Sequence, residues 1–72
     1  MDRIRFDYAK LKGRIKEKCG SQKVFAGRLG ISEMSLSCKL KGHSYFTQSE
    51  IWNSVGILEI DQAKVGTYFF TV

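Results

Sequence analysis

A chain of 72 residues with 43% hydrophobic and 12% aromatic residues can form one small packed domain, which argues against disorder and leaves no room for a second core. It contains no apolar run of the roughly 18 to 20 residues that span a bilayer, and no signal-peptide segment, so we expect a cytoplasmic protein without a membrane partner. Residues 1–41 carry eleven basic and four acidic residues, and this net charge of +7 favours a polyanion such as nucleic acid over the alternative of a merely solvated surface.

Five helical segments separated by glycines are predicted. The first runs from about Asp7 to Lys18, with Asp7 as its N-cap and Gly20 just beyond its end. Apolar residues at i, i+3 and i+4 spacing predict one buried stripe, while basic residues cover the rest of the circumference. The stripe consists of Tyr8, Leu11, Ile15 and Cys19.

The second and third segments form a pair joined by a short turn. The second runs from about 22 to 29 behind a Ser21 cap, and Gly30 ends it with the positive φ angle that the turn requires. The third runs from about 33 to 40 behind a Ser32 cap, and Gly42 follows it. The residues predicted to hold the pair to the core are Phe25, Ala26, Leu29, Ile31, Leu36 and Leu40.

The fourth and fifth segments begin at recognisable caps. Thr47 and Glu50 have the spacing of a capping box, and Ile51, Val55 and Leu58 form the buried stripe that follows, with Trp52 at its edge. Asp61 is expected to cap a short final helix through Val65 that Gly66 ends. The β-prone residues 68–72 either fold back onto the core or pair with another element. Because no other strand is predicted, we favour folding back.

Residues 22–40 have the arrangement of a helix-turn-helix, in which the second helix enters the major groove of DNA and the first braces against the backbone. The small Ala26 allows the two helices to approach closely, and Gly30 supplies the turn. An ordinary helical hairpin is the alternative.

The chain resembles the small repressor and Cro-like helix-turn-helix proteins of temperate phages, and at this length the modulator-of-repression proteins encoded beside a CI-type repressor. The resemblance implies a single domain over residues 1–72 with an all-α, five-helix, lambda-repressor-like fold. It runs from Phe6-Asp7-Tyr8 through Leu29-Gly30-Ile31-Ser32-Glu33 and Gln48-Ser49-Glu50-Ile51 to Gly66-Thr67-Tyr68-Phe69-Phe70.

The resemblance also implies a function at the lysis–lysogeny switch in the cytoplasm of a bacterial host cell, as a modulator of repression or antirepressor. The implied partners are a CI-type repressor protein, double-stranded operator DNA, or a complex in which both proteins sit on DNA, which we favour. A stand-alone Cro-like dimeric repressor that binds the operator is the alternative.

Matching positions assign the DNA- or partner-binding residues. Gln22 corresponds to the residue that bonds a phosphate and braces the recognition helix, and Lys23 and Arg28 are further phosphate candidates. By helical geometry Met34, Cys38 and Lys41 point most directly away from the core. The full base-reading face is Ser32, Glu33, Met34, Ser35, Ser37, Cys38 and Lys41, with Lys39 and His43 able to reach the backbone beside the groove.

This face lacks the side chains of a strong base reader. Adenine and guanine are best read by bidentate Asn, Gln or Arg, and none of these occurs among its residues. Glu33 can accept a hydrogen bond from a cytosine amine, or can simply stabilise the helix dipole. Met34 suits either a thymine methyl or a protein surface. The face therefore predicts weak discrimination between bases.

The remaining residues have simpler interpretations. Cys19 and Cys38 are expected to be unreactive, and His43 is either solvated or in contact with a phosphate. Trp52 and the 68–70 aromatic run are expected in the core, although a surface patch formed by Ile57, Trp52 or the tail would suit a protein partner. With one histidine and no nucleophile beside a base, we expect no metal, cofactor, small-molecule substrate or enzymatic activity.

Overall fold

The chain folds into helices around one core that is rich in aromatic residues. The computed structural model describes residues 6–72, and within that range it contains helices and no strand. The predicted all-helical class and the number of helices are confirmed. α2 packs against α1, α3 and α4, and α1 also packs against α5. The helices are α1 (Ala9–Cys19), α2 (Gln22–Leu29), α3 (Glu33–Leu40), α4 (Gln48–Ile57) and, after a 3₁₀ turn at Gln62–Lys64, α5 (Val65–Phe69).

Most of the predicted helix starts are formed by side-chain caps. The Ser21 hydroxyl accepts a hydrogen bond from the Val24 N–H at 3.2 Å. Thr47 and Glu50 form the reciprocal capping box, with bonds of 3.1 and 2.9 Å. Asp61 likewise accepts from a backbone N–H two residues on. Each cap satisfies a donor that the helix itself leaves unpaired, which explains why these boundaries are readable from sequence.

The first and last helices differ from the prediction. α1 begins at Ala9, because Asp7 bonds the Ala9 N–H at 2.9 Å within the turn that precedes the helix. The expectation that Gly66 ends the last helix is wrong, since Gly66 lies inside α5. Continuing the helix carries Phe69 into the core, where it is only 1% exposed. Burial of a phenyl ring is worth roughly 1.5 to 3 kcal/mol, more than the cost of about 1 kcal/mol for a helical glycine.

The C-terminal segment folds back onto the core, as predicted. The expectation that the whole 68–70 run lies in the core is wrong for Phe70, which is 52% exposed, because Phe69 takes the inward position. The rings of Phe69 and Phe46 meet edge to face with centroids 5.4 Å apart, and Phe46 in turn contacts Tyr8 at 5.5 Å. The Asp7 N–H donates to the Thr71 carbonyl at 2.6 Å. Burial of Tyr8, together with the neighbouring phenol of Tyr45, raises the pKa of the Tyr8 hydroxyl above its ordinary value. The aromatic cluster thus joins the two ends of the described chain.

Trp52 is not in the core. Its side chain is 65% exposed, and the inward position of α4 is taken by Ser54, whose hydroxyl donates to the Glu50 carbonyl at 2.6 Å. Residues two apart on a helix are about 200° apart, so turning Ser54 inward turns Trp52 outward. Because α4 packs against α2, a small residue at Ser54 suits the close approach of the two helices.

The apolar residues near Trp52 are partly buried. Ile51 and Val55 are only half-buried, although both were expected on the buried stripe, whereas Leu58 is fully buried. α4 continues through Gly56 to Ile57, yet Ile57 packs against the core. Ile57 is half-buried and Trp52 is 65% exposed, so Trp52 contributes most of the exposed apolar surface of this helix.

A charged network joins α3 to α4. The Lys39 ammonium lies 3.1 Å from Glu50 Oε1 and donates to the Tyr45 carbonyl at 3.1 Å, and the Lys39 side chain is 13% exposed. Burial by itself would raise the pKa of the Glu50 carboxyl. The hydrogen bonds from the Thr47 backbone and from Lys39, together with the Lys39 charge, outweigh burial and hold this pKa below its ordinary value.

We expect Glu50→Gln to lower the free energy of unfolding by roughly 1 to 3 kcal/mol at neutral pH. The substitution removes the charge that strengthens the hydrogen bond from Lys39, whereas the glutamine amide oxygen can still accept from the Thr47 N–H. A folded-state pKa below the unfolded value stabilises the fold above the unfolded pKa of about 4.3, and this contribution is lost as pH falls through the folded-state pKa. The difference between the two proteins should therefore shrink on acidification.

Denaturant unfolding at neutral pH and near pH 3 measures this difference. Glu17→Gln is the matched control, because Glu17 is exposed and, within residues 6–72, pairs with Arg14 alone, so its effect should stay below about 1 kcal/mol. If the stability difference between Glu50→Gln and the original protein is the same at both pH values, the lowered pKa of the Glu50 carboxyl is contradicted.

Candidate functional site

A tight joint between α2 and α3 determines which side of α3 faces outward. Gly30 adopts φ 83° and ψ 24°, in the left-handed region that favours glycine. Its N–H donates to the Ala26 carbonyl at 2.9 Å, and the Ile31 N–H donates to the same oxygen at 3.0 Å. The Ser32 hydroxyl then accepts from the Ser35 N–H at 3.1 Å and starts α3. The joint between α2 and α3 is three residues long, and the N–H groups of Gly30 and Ile31 both have backbone acceptors.

α3 buries one face and exposes the other. Leu36 and Leu40 lie in the core. Met34 is 77% exposed, and Lys41 is also exposed, as helical geometry predicted, whereas Cys38 is half-buried. The remaining predicted face residues comprise exposed Ser32, Glu33 and Ser35 and half-buried Ser37. The structure thus brings the predicted face together on one side of α3.

The predicted residues of α2 lie at the surface. Gln22, Lys23 and Arg28 are all exposed. The Arg28 guanidinium lies 3.9 Å from the Cys19 sulfur, which places it beside the end of α1. Val24, an exposed apolar residue of the same helix, was not predicted as part of the site.

Two predicted backbone-contacting residues have different surroundings. Lys39 points into the network with Glu50 and Tyr45, so its ammonium is engaged inside the domain rather than presented beside a groove. His43 is exposed in the loop after α3, and its N–H donates to the Cys38 carbonyl at 2.9 Å. The engaged position of Lys39 was not readable from sequence, because it depends on Glu50, eleven residues further on.

Two basic residues of α1 are also used within the fold. Arg14 donates to the carbonyls of Leu58 and Glu59, each at 2.9 Å, and so satisfies acceptors at the end of α4. It also pairs with Glu17 at 2.8 Å, while Lys18 pairs with Glu59 at 3.4 Å. Arg14 and Lys18 therefore stabilise the packing of α1 against the residues that follow the C-terminal end of α4.

The unpaired positive charge lies mainly outside the α3 face. On that face Glu33 and Lys41 give no net charge. In contrast, several exposed lysines of α1 and α2 form no ion pair within residues 6–72. A polyanion would therefore be attracted more strongly to α1 and α2 than to the α3 face. The exposed lysines of α1 and α2 that form no ion pair within residues 6–72 are Lys10, Lys12, Lys16 and Lys23.

The described residues contain no cluster of three or more His, Cys, Asp or Glu side chains able to hold a metal ion. Within residues 6–72, no helix has the length and apolar character required to cross a membrane. Both cysteines are free thiols and half-buried.

Comparison with known proteins identifies relatives over almost the full chain. The family described as "Protein of unknown function (DUF739)" matches residues 4–72. Among solved structures, the chain is similar to the solution structure of the modulator of repression (MOR) of the temperate bacteriophage TP901-1 from Lactococcus lactis. The two chains are 39% identical, the match covers 93% of this chain and 90% of that one, and the TM-score is 0.80. No curated protein matches.

Proposed function

The chain belongs to the DUF739 family, and from this premise we propose that it regulates the lysis–lysogeny switch of a temperate phage. It acts as a modulator of repression, by binding rather than by catalysis. The relative from phage TP901-1 is described as a modulator of repression, and its similarity extends over nearly both chains. This end-to-end similarity at 39% identity is the observation that carries the proposal.

Under this proposal α2 and α3 form a lambda-repressor-like helix-turn-helix. The left-handed Gly30, the shared Ala26 acceptor and the Ser32 cap support this, because together they hold α3 with its polar side outward. In such a motif the second helix is the recognition helix, which contacts the bound molecule, and the first helix holds it in position.

The partner of the α3 face is a CI-type repressor protein. Met34 is an adaptable apolar side chain at 77% exposure, which suits a protein surface. Glu33 beside it is repelled by phosphates but attracted to a basic protein surface. The outer face also lacks the Asn, Gln and Arg side chains that would read purines.

DNA is a second partner in the same assembly. The lysines of α1 and α2 are exposed, and Lys12 and Lys16 lie near Gln22 at the start of α2, so these lysines can neutralise operator phosphates while α3 contacts the repressor. These lysines equally favour the alternative, a stand-alone Cro-like repressor that binds the operator as a dimer. The two functions differ in whether the repressor is needed for DNA binding.

A gel-shift series on the DNA between the two genes tests the proposal. It compares this protein alone, the neighbouring repressor alone, and both together. We expect the protein alone to bind weakly and without sequence preference, and the pair to give a complex or a loss of binding that neither gives alone. Tight, sequence-specific binding by the protein alone, with a log–log salt slope of about −0.9 per neutralised phosphate, would establish the stand-alone function instead.

A further inference from the structure

One carboxylate oxygen of Glu50 joins the start of α4 to the end of α3. Glu50 Oε1 accepts from the Thr47 N–H at 2.9 Å, which completes the capping box of α4, and the Lys39 ammonium lies 3.1 Å from the same oxygen. The ammonium also lies 6.0 Å from the centre of the ring of Phe46, a core residue. Water screens this ion pair less than a surface pair, because both side chains are mostly buried. The capping box that starts α4 therefore also holds the last turn of α3.

Lys39 also fixes the path of the loop that follows α3. Its ammonium donates to the Tyr45 carbonyl at 3.1 Å, near the end of this loop. Near the start of the loop, the His43 N–H donates to the Cys38 carbonyl at 2.9 Å. Residues 41–46 are thus connected at both ends to the last turn of α3, and Lys39 supplies the second of these connections.

The end of α3 depends on these contacts, because the helix is short and is supported mainly at its start. Within residues 6–72, α2 is the one helix against which α3 packs extensively, and the Gly30 joint connects the two. An isolated helix of eight residues is not stable in water, so contacts with the rest of the domain keep α3 formed. Leu36 and Leu40 provide such contacts on its inner side. Loss of the Lys39 contacts would therefore allow the last turn and the loop to open while the start of α3 stays in place.

We propose that Lys39 is a positioning residue for the α3 face. It does not contact the partner; through Glu50 and Tyr45 it holds the last turn of α3 and the following loop in the arrangement that the repressor binds. The measured affinity of a protein falls in proportion to the fraction of molecules that have the binding arrangement, so loss of order at this end lowers the affinity. This inference rests on the proposed function, in which the α3 face binds a repressor.

Hydrogen exchange of the chain alone tests whether Lys39 orders the end of α3. Lys39→Met keeps an unbranched apolar side chain at this position and removes the charge. We expect the amides of Lys41, Gly42 and His43, which donate to carbonyls of the last turns of α3, to exchange faster in this variant. Relative to the amides of α2, the acceleration should be about tenfold or more, because the opening is local. Equal acceleration throughout the chain, or none, would overturn the proposal.

Titration with the repressor tests whether this order contributes to binding. We expect Lys39→Met to weaken the repressor complex about tenfold, which corresponds to a fall of the ordered arrangement to about a tenth of the population. Lys39→Arg keeps a cation that can reach the same carboxylate, so its affinity should stay within about threefold of the original. Because Lys39 and Glu50 act through one contact, adding Glu50→Gln to Lys39→Met should weaken binding little further. Multiplied losses in the double variant would contradict the shared contact.

Arg14→Met is the matched control. Arg14 holds α1 to the residues after α4 through the carbonyls of Leu58 and Glu59, so its loss removes a similar set of contacts away from α3. The repressor affinity of this variant should stay within about threefold of the original. Equal losses of affinity for Arg14→Met and Lys39→Met would overturn the proposal, because a general loss of stability would explain both.

The remaining outcomes separate this inference from the proposed function. Faster exchange at the end of α3 in Lys39→Met, with the repressor affinity unchanged, would overturn the positioning role while the unmodified chain still binds. Failure of the unmodified chain to bind the repressor would refute the proposed function itself, and this inference with it.

Discussion

Glu33→Lys is expected to weaken the affinity for the repressor and to strengthen the affinity for operator DNA. The complex with the repressor should weaken roughly ten- to a hundredfold, because a lysine in the first turn of α3 replaces an attractive charge with a repulsive one against a basic surface. Binding to operator DNA should strengthen by up to about tenfold at low salt, and its salt slope should steepen by about one. Binding of each partner alone, measured by titration calorimetry or fluorescence anisotropy, gives both values.

Glu17→Lys is the matched control for this reversal. It changes the net charge by the same amount, and Glu17 is exposed on α1 with only a surface ion pair to Arg14. Its effect on the repressor complex should be less than about threefold, because the substitution lies away from the α3 face. If both reversals weaken the repressor complex equally, overall charge is responsible and the α3 face is not the contact.

Glu33→Gln tests whether the Glu33 charge contacts the repressor or only stabilises α3. Glu33 lies in the first turn of α3, where its charge stabilises the helix dipole by roughly 0.3 to 1 kcal/mol. A loss of repressor affinity that only tracks the small loss of stability in this variant would assign Glu33 a structural role.

Phe69→Ala should give the largest loss of stability, roughly 3 to 5 kcal/mol. The ring is 1% exposed and contacts Phe46 edge to face, so its removal leaves a cavity and separates α5 from the core. A domain of this size has a total stability of roughly 4 to 11 kcal/mol, so this loss is a large share of the total and should lower the melting temperature markedly. Thermal and denaturant unfolding followed by circular dichroism measure the effect.

The neighbouring residue supplies the control. Phe70 is 52% exposed, so Phe70→Ala should cost less than about 1.5 kcal/mol although the same side chain is removed. Equal losses for the two variants would contradict the observed position of α5, in which the first phenylalanine faces the core and the second faces outward.

The fold was predictable where local chemistry determines it. Ser21, Ser32 and Thr47 cap helices through bonds to backbone groups three residues away, and Gly30 occupies a backbone conformation that other residues adopt at a cost. Such interactions depend only on neighbours in sequence. The bounds of α2 and α3, and therefore the orientation of the α3 face, followed from them.

The positions of Trp52, Gly66 and Lys39 depend on residues distant in sequence. Trp52 is exposed because α4 turns the small Ser54 toward its packing partners, and hydrophobicity alone would place the two the other way round. Gly66 is helical because Phe69 must reach Phe46, twenty-three residues earlier. Periodicity within one segment carries no information on which neighbouring helix lies opposite it.

The central claim is that the Gly30 joint presents the outer face of α3 to a repressor. The most direct measurement is a titration of the ¹⁵N-labelled chain with the unlabelled repressor, followed by NMR. The amide signals of Glu33, Met34 and Ser35 should shift or broaden most, and Glu33→Lys should reduce these changes. Changes confined to α4 and α5, with the α3 signals unmoved at saturation, would contradict the claim.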